Sequence, residues 1–258
     1  MSDRSSHREI AVLESGEAVA RAAAERLVVL ARDAVAARGR FTVALSGGST
    51  PRTLFAVLAR EPFRSAVAWD RIEVFWGDER CVPPTHADSN YRMARETLLD
   101  VVPILPERVH RMAGDTADHA AAAAAYEAEI ARVLGGTPGG PAPAFDVVLL
   151  GMGTDGHTAS LFPHTQALGE RRRWVVANHV PKLGVGRITL TWPILNRAAH
   201  VFFLVVGADK AAVLHEVLEG PPDLERLPSQ AIRPEAGRLV WFCDRAAAVE
   251  LGATPPSS

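Results

Sequence analysis

Five stretches of this 258-residue chain are nearly unbroken apolar runs that end in glycine or polar residues: FTVALSGG (41–48), RIEVFWGDER (71–80), FDVVLLGM (145–152), HVFFLVVG (200–207) and RLVWFCD (238–244). A strand wetted on one face alternates apolar and polar residues, and these do not. Runs this short and this apolar predict strands buried on both faces, as in a parallel sheet covered by helices. The intervening segments supply the helices. Val19, Ala23, Leu27, Leu30 and Ala34 recur at three- and four-residue steps until Gly39, which predicts a helix over 17–38. STPRTLFAVLAR reads as a helix capped by Ser49 or Thr50 with Pro51 in its first turn. DSNYRMARETLL, an alanine-rich segment near 116–134 and DKAAVLHEVLEG are further helices, and WVVANHV and RITLT are weaker strands. RLVWFCD is expected to close the sheet. The alternation defines an α/β fold, a mostly parallel Rossmann-like sheet with helices on both faces. GGTPGGPAP (135–143) reads as a surface loop because strands and helices continue beyond it. The expectation is one domain spanning 1–258, with a disordered tail over 252–258.

Composition removes several classes of function. No apolar run approaches the ~20 residues of a membrane helix, and the first ten residues, MSDRSSHREI, contain no apolar export signal. With 28 basic and 30 acidic residues the formal charge is −2, which gives no reason to expect nucleic acid or an acidic membrane as partner. Cys81 and Cys243 form neither a metal spacing nor a disulfide framework, so a reducing cytoplasm is the expected compartment.

In open α/β sheets the chemistry gathers beyond the carboxyl ends of the strands. Those ends here carry SGGSTP, WGDER, GMGTDGH and VGADK. Gly47 and Gly48 allow backbone N–H groups to approach an anion at a helix N-terminus, together with Ser49 and Thr50. The stretch is neither a P-loop nor G-x-G-x-x-G, and a plain capped turn explains it equally well. WGDER offers Asp78, Glu79 and Arg80. The planar fork of Arg80 suits phosphate or carboxylate, although solvated charged loops are the commoner case. His157, between Gly156 and Thr158, is the best candidate base near neutral pH, with Asp155 as its orienter. Lys210 lies in the first turn of a helix, where a cation opposes the macrodipole; the placement points to a compensating anion, although solvated lysines are common at such positions. The RRR at 171–173 reads as an exposed face.

Taken together, LSGGSTPRTLF, FWGDERCVP, DSNYRMARETLL, FDVVLLGMGTDGHTASLFP, PKLGVGRITLT, GADKAAVLHEVL and LPSQAIRP resemble the 6-phosphogluconolactonases, whose fold is shared with sugar-phosphate isomerases. The resemblance covers about residues 41–234. It implies hydrolysis of 6-phospho-D-glucono-1,5-lactone to 6-phosphogluconate, the second step of the oxidative pentose phosphate pathway, without metal or coenzyme. It implies His157 as the general base on water, the glycine loop and Lys210 as phosphate holders, and Arg80, Arg187 and, more weakly, Lys182 as substrate contacts. Asp78 joins the candidate binding residues. The expected partner is a small sugar-phosphate lactone, bound by a monomer or weak homo-oligomer. A lactone is an ester, so hydrolysis needs activated water, a stabilised oxyanion and a proton for the leaving ring oxygen. Arg80 or backbone N–H groups near 153–157 are candidates for the oxyanion, and no G-x-S-x-G elbow offers a serine route. The nearest alternative, a glucosamine-6-phosphate isomerase/deaminase, resembles the chain around D-G-H but carries an acidic residue where this sequence has Phe162. A non-catalytic sugar-phosphate sensor is the other alternative; it would be expected to lack the base.

Overall fold

The computed structural model describes residues 8–181 and 184–252. The elements run β1 (Arg8–Leu13), α1 (Gly16–Arg38), β2 (Phe41–Leu45), α2 (Ser49–Leu58), α3 (Phe63–Ala66), β3 (Ile72–Trp76), β4 (Asp78–Arg80), α4 (Asn90–Ala94), α5 (His119–Leu134), β5 (Val147–Leu150), β6 (Val175–Val180), β7 (Val185–Leu190), α6 (Trp192–Leu195), β8 (His200–Val205), α7 (Ala211–Glu219) and β9 (Arg238–Asp244). The main sheet has the order β1-β9-β8-β5-β2-β3, and every neighbouring pair is parallel. The expected α/β architecture is therefore present.

The apolar runs are continuous because both faces of this sheet are covered. Val43, Leu45, Val147, Leu149, Phe202, Leu204, Val240 and Phe242 face one core with residues of α1 and α2. Val148, Leu150, Val201, Phe203 and Trp241 alternate to the other face and pack with residues of α5, α7, β6 and β7. Helix α1 matches its predicted span. Ser15 caps it by accepting a bond from Ala18 N (3.2 Å). Gly39, at φ +73°, ends it by donating its N–H to Val35 O.

Several boundaries differ from the sequence expectation. RIEVFWGDER is two strands in two sheets. Gly77 N donates to Leu45 O of the parallel sheet, while Gly77 O accepts from Leu190 N (both 2.8 Å). The chain thus passes from one sheet to the other at a single glycine. WVVANHV and RITLT belong to this second sheet, the antiparallel β4-β7-β6. RLVWFCD does not close the main sheet, because β1 pairs outside it. β1 is largely exposed and carries charges, so it lacks the apolar signature of its neighbours. Neither Ser49 nor Thr50 caps α2: Gly48, at φ +106°, is the capping position and no side-chain bond is made there. Helix α5 starts at His119 rather than 116, with Asp118 Oδ1 accepting from Ala121 N at 2.9 Å. In DSNYRMARETLL, Ser89 caps α4, which continues as a wider π-helical turn over Arg95–Leu99.

Gly252 is anchored to Glu219 by its N–H (3.1 Å). The rest of the expected disordered tail and the N-terminal residues 1–7 lie outside the described residues. Among the described residues no helix is long and apolar enough to cross a membrane.

Candidate active site

The sheet order brings the four glycine-rich or polar strand ends side by side. β8, β5, β2 and β3 are consecutive neighbours, so residues 207–210, 151–157, 46–50 and 77–80 follow their carboxyl ends along one edge. From β2 the chain winds to β3 on one side and, after β4, to β5 on the other. This is the topological switch at which open α/β sheets form a crevice.

The loop after β5 holds the imidazole. His157 Nδ1 is 2.5 Å from Asp155 Oδ1, which also accepts the His157 backbone N–H at 3.3 Å. An ionised carboxylate only accepts, so Nδ1 donates to it, and in the neutral ring Nε2 then carries the lone pair. Phe162 stacks on the ring, with centroids 3.9 Å apart and planes 21° apart. About a quarter of each polar side chain is exposed, 27% for His157 and 26% for Asp155, which gives water access to the pair. The surrounding turn is fixed by Gly153 N donating to His157 O (2.9 Å) and Gly156 N donating to Gly153 O (3.0 Å). The Ser229 hydroxyl adds a bond to Gly156 O at 2.8 Å. A Cβ on Gly153 would collide with the His157 ring and the Asp155 carboxylate, and Gly156 sits at φ +77° against Leu227. These two glycines are what let the loop turn tightly enough to place its own histidine.

A buried polar network joins that loop to the other strand ends. Asp78 is buried. Its carboxylate accepts from the Ser160 hydroxyl (2.6 Å) and the Asn90 amide (3.2 Å). Ser160 N donates to Thr189 Oγ1 (3.1 Å), and Asn178 Nδ2 donates to Ser160 O (2.9 Å). Glu79 accepts from the backbone N–H groups of Arg80, Asn90 and Tyr91 and from the Ser89 hydroxyl. Burial pushes its carboxyl up from the usual carboxylate range, opposed by those N–H groups. Asn90 is also the wall against which the glycine loop lies, since a Cβ on Gly47 would collide with its amide. Asp78 and Glu79 thus face the interior and hold the strand ends together, whereas Arg80 reaches outward.

Arg80 and Arg187 are register partners across β4 and β7, and both line a cleft of about 280 Å³. Burial first, and the neighbouring Arg80 charge second, depress the affinity of Arg187 for its proton. Arg80 Nη1 donates to Asp88 O at 2.5 Å, while its buried Nε has no partner among the described residues. Two like charges held together, one with an unmet donor, favour an anionic ligand. Lys210 precedes α7 as its capping residue, with Nζ 3.4 Å from Asp209 Oδ2. Asp209 is therefore a compensating anion supplied by the chain itself. Ser49 is exposed and Thr50 half-buried at the start of α2. Lys182 lies outside the described residues. Among those residues no group of three or more His, Cys, Asp or Glu is arranged to hold a metal ion.

Asn90, Ser160 and Ser229 were not legible as individual site residues. Their segments stand out as motifs in the sequence, but hydroxyl and amide side chains that clamp backbone have no spacing of their own.

Residues 14–241 match the family Glucosamine-6-phosphate isomerases/6-phosphogluconolactonase, and the chain belongs to that family. A 6-phosphogluconolactonase of Nostoc sp. is 46% identical over 218 residues, covering 84% of this chain and 88% of its own. One from Streptomyces coelicolor is 40% identical over 257 residues, covering 97% and 98%. The solved structure of 6-phosphogluconolactonase from Trypanosoma cruzi superposes with a TM-score of 0.83 at 32% identity, covering 96% of this chain and all of that one.

Proposed function

We propose that this protein is an enzyme that hydrolyses 6-phospho-D-glucono-1,5-lactone to 6-phosphogluconate, the second step of the oxidative pentose phosphate pathway. The likeness to named 6-phosphogluconolactonases supports the reaction. The observation that carries the mechanism is the Asp155–His157 pair, at 2.5 Å, with Nε2 left as base. In this reading Nε2 takes a proton from water as its oxygen attacks the lactone carbonyl. The imidazolium, stabilised by Asp155, then returns the proton to the departing ring oxygen, and the product is the open-chain acid.

The oxyanion needs donors not already engaged. The N–H groups of Gly153, Gly156 and His157 are committed within the loop, which removes those three and keeps the Arg80 guanidinium, its Nε unpartnered among the described residues, as one candidate donor. Arg187 beside it contacts the substrate. Gly47, Gly48, Ser49 and Thr50 at the start of α2, together with Lys210, hold the phosphate, with Lys182 a further contact. Asp78 acts through Ser160 and Asn90 rather than on the substrate. The enzyme works as one domain in the cytoplasm, as a monomer or weak homo-oligomer, without metal or coenzyme.

Phe162 argues against the isomerase/deaminase reading, since it fills the place beside the imidazole with an aryl face instead of a carboxylate. The intact base argues against a sensor. The test is an assay of the purified protein with 6-phospho-D-glucono-1,5-lactone and with glucosamine 6-phosphate. Lactone loss well above the spontaneous rate, with no ammonia released from the amino sugar, is expected. The opposite pattern, or no turnover of either, overturns the reading.

A further inference from the structure

A second cleft lies before the amino ends of strands β8 and β9. It has a volume of about 680 Å³, and its lining includes Arg171, Arg172, Trp192, Arg197, Arg233 and Glu235. Arg197 lies just before β8, and Arg233 and Glu235 just before β9, so these residues stand at amino ends of strands whose carboxyl ends point toward the catalytic edge. We propose that this cleft binds a small polyanion carrying two or more phosphate groups.

Four arginines from three separate segments line the cleft, and the lining contains one carboxylate. That carboxylate, Glu235, is engaged by Arg197 at 3.0 Å. Arg171, Arg172 and Arg233 have no ion-pair partner among the described residues. Two of them are nonetheless oriented. Arg171 donates to Leu168 O (2.5 Å) and Glu170 O (2.9 Å) and lies 4.9 Å from the Trp192 ring centre. Arg233 Nε donates to Gln230 O at 3.0 Å. Carbonyl anchors fix a guanidinium without neutralising it, so the cleft gathers positive potential that a concave surface intensifies. The Trp192 Nε1–H, also buried, has no partner among the described residues. The whole chain carries a formal charge of −2, so this is a local concentration and not general basicity. Three arginines without an ion-pair partner among the described residues carry more charge than one phosphate balances, and the volume falls in the range of roughly 300–1,000 Å³ typical of small-molecule sites.

The experiment is calorimetric titration of sodium tripolyphosphate into the full-length protein, alone and saturated with 6-phosphogluconate, with ATP in a parallel arm. One equivalent should bind with the same affinity in the presence and absence of 6-phosphogluconate, and more weakly as salt is added. Arg172→Ala combined with Arg233→Ala should weaken it by about 10²-fold while lactone turnover is retained. ATP binding tighter than tripolyphosphate identifies a nucleotide as the ligand; equal affinities identify a plain polyphosphate. No heat at millimolar ligand, competition with 6-phosphogluconate, or unchanged affinity in the double variant overturns the proposal.

Discussion

The Phe162 ring lies flat on the imidazole of His157 at a centroid separation of 3.9 Å, on the same loop and five residues further along. An aryl face there excludes water from one side of the base and leaves Asp155 as the carboxylate bonded to the ring. Phe162→Ala removes the stacked face and leaves a cavity beside the imidazole. We expect kcat to fall about tenfold with KM nearly constant, because the ring loses orientation and not substrate contact. Steady-state kinetics on the folded variant check this; an effect on KM alone would place Phe162 against the substrate.

Asp155→Asn tests the tautomer. A carboxylate can only accept from Nδ1, whereas an amide can also donate to it and so turn the Nε2 lone pair into an N–H. Turnover should fall by about 10²-fold or more, with a changed pH–rate profile. An unchanged profile would remove Asp155 from the mechanism.

How much of this site the sequence disclosed depends on how each residue acts. His157 and Asp155 were legible because a titratable pair inside a glycine turn after a buried strand has few structural uses. The parallel sheet was legible because its strands, buried on both faces, are continuously apolar. β4 was not separable from β3, since Gly77 bonds to both sheets and leaves no break in the sequence pattern. Asp78 looked like a ligand-facing carboxylate, and only three-dimensional contact reveals Ser160, 82 residues away, as its partner. Likewise the RRR segment is exposed as expected, but that two of its arginines line one cleft with Arg197 and Arg233 depends on the tertiary fold.

Lys210→Ala tests the phosphate assignment. A charge-assisted contact is worth roughly 1.5–3 kcal/mol, or about ten- to a hundredfold in affinity. The variant should lose that much affinity for 6-phosphogluconate and little for unphosphorylated gluconate in parallel titrations. Because Asp209 already faces Lys210, an equal loss for both ligands would show that the lysine serves the loop and that the phosphate lies elsewhere, with Arg80 the first place to look.

A further prediction concerns acid stability, away from the site. The Arg132 guanidinium, and next the His110 ring, hold the Glu129 carboxyl down at about 2 from a usual 4.5. A depressed carboxylate stabilises the fold above its unfolded value and loses that contribution as pH falls through the folded one. Glu129→Gln should therefore lower the melting temperature at neutral pH, and the difference from the parent should shrink between about pH 4.5 and 2. A difference independent of pH across that window would assign the effect to packing.

In the proposed mechanism His157 activates the water that opens the lactone. The direct measurement is steady-state hydrolysis by His157→Ala, with spontaneous lactone opening subtracted at each pH and folding verified by circular dichroism. A fall in kcat of about 10²-fold or more is expected, with KM little changed. Near-normal turnover by the folded variant would contradict it.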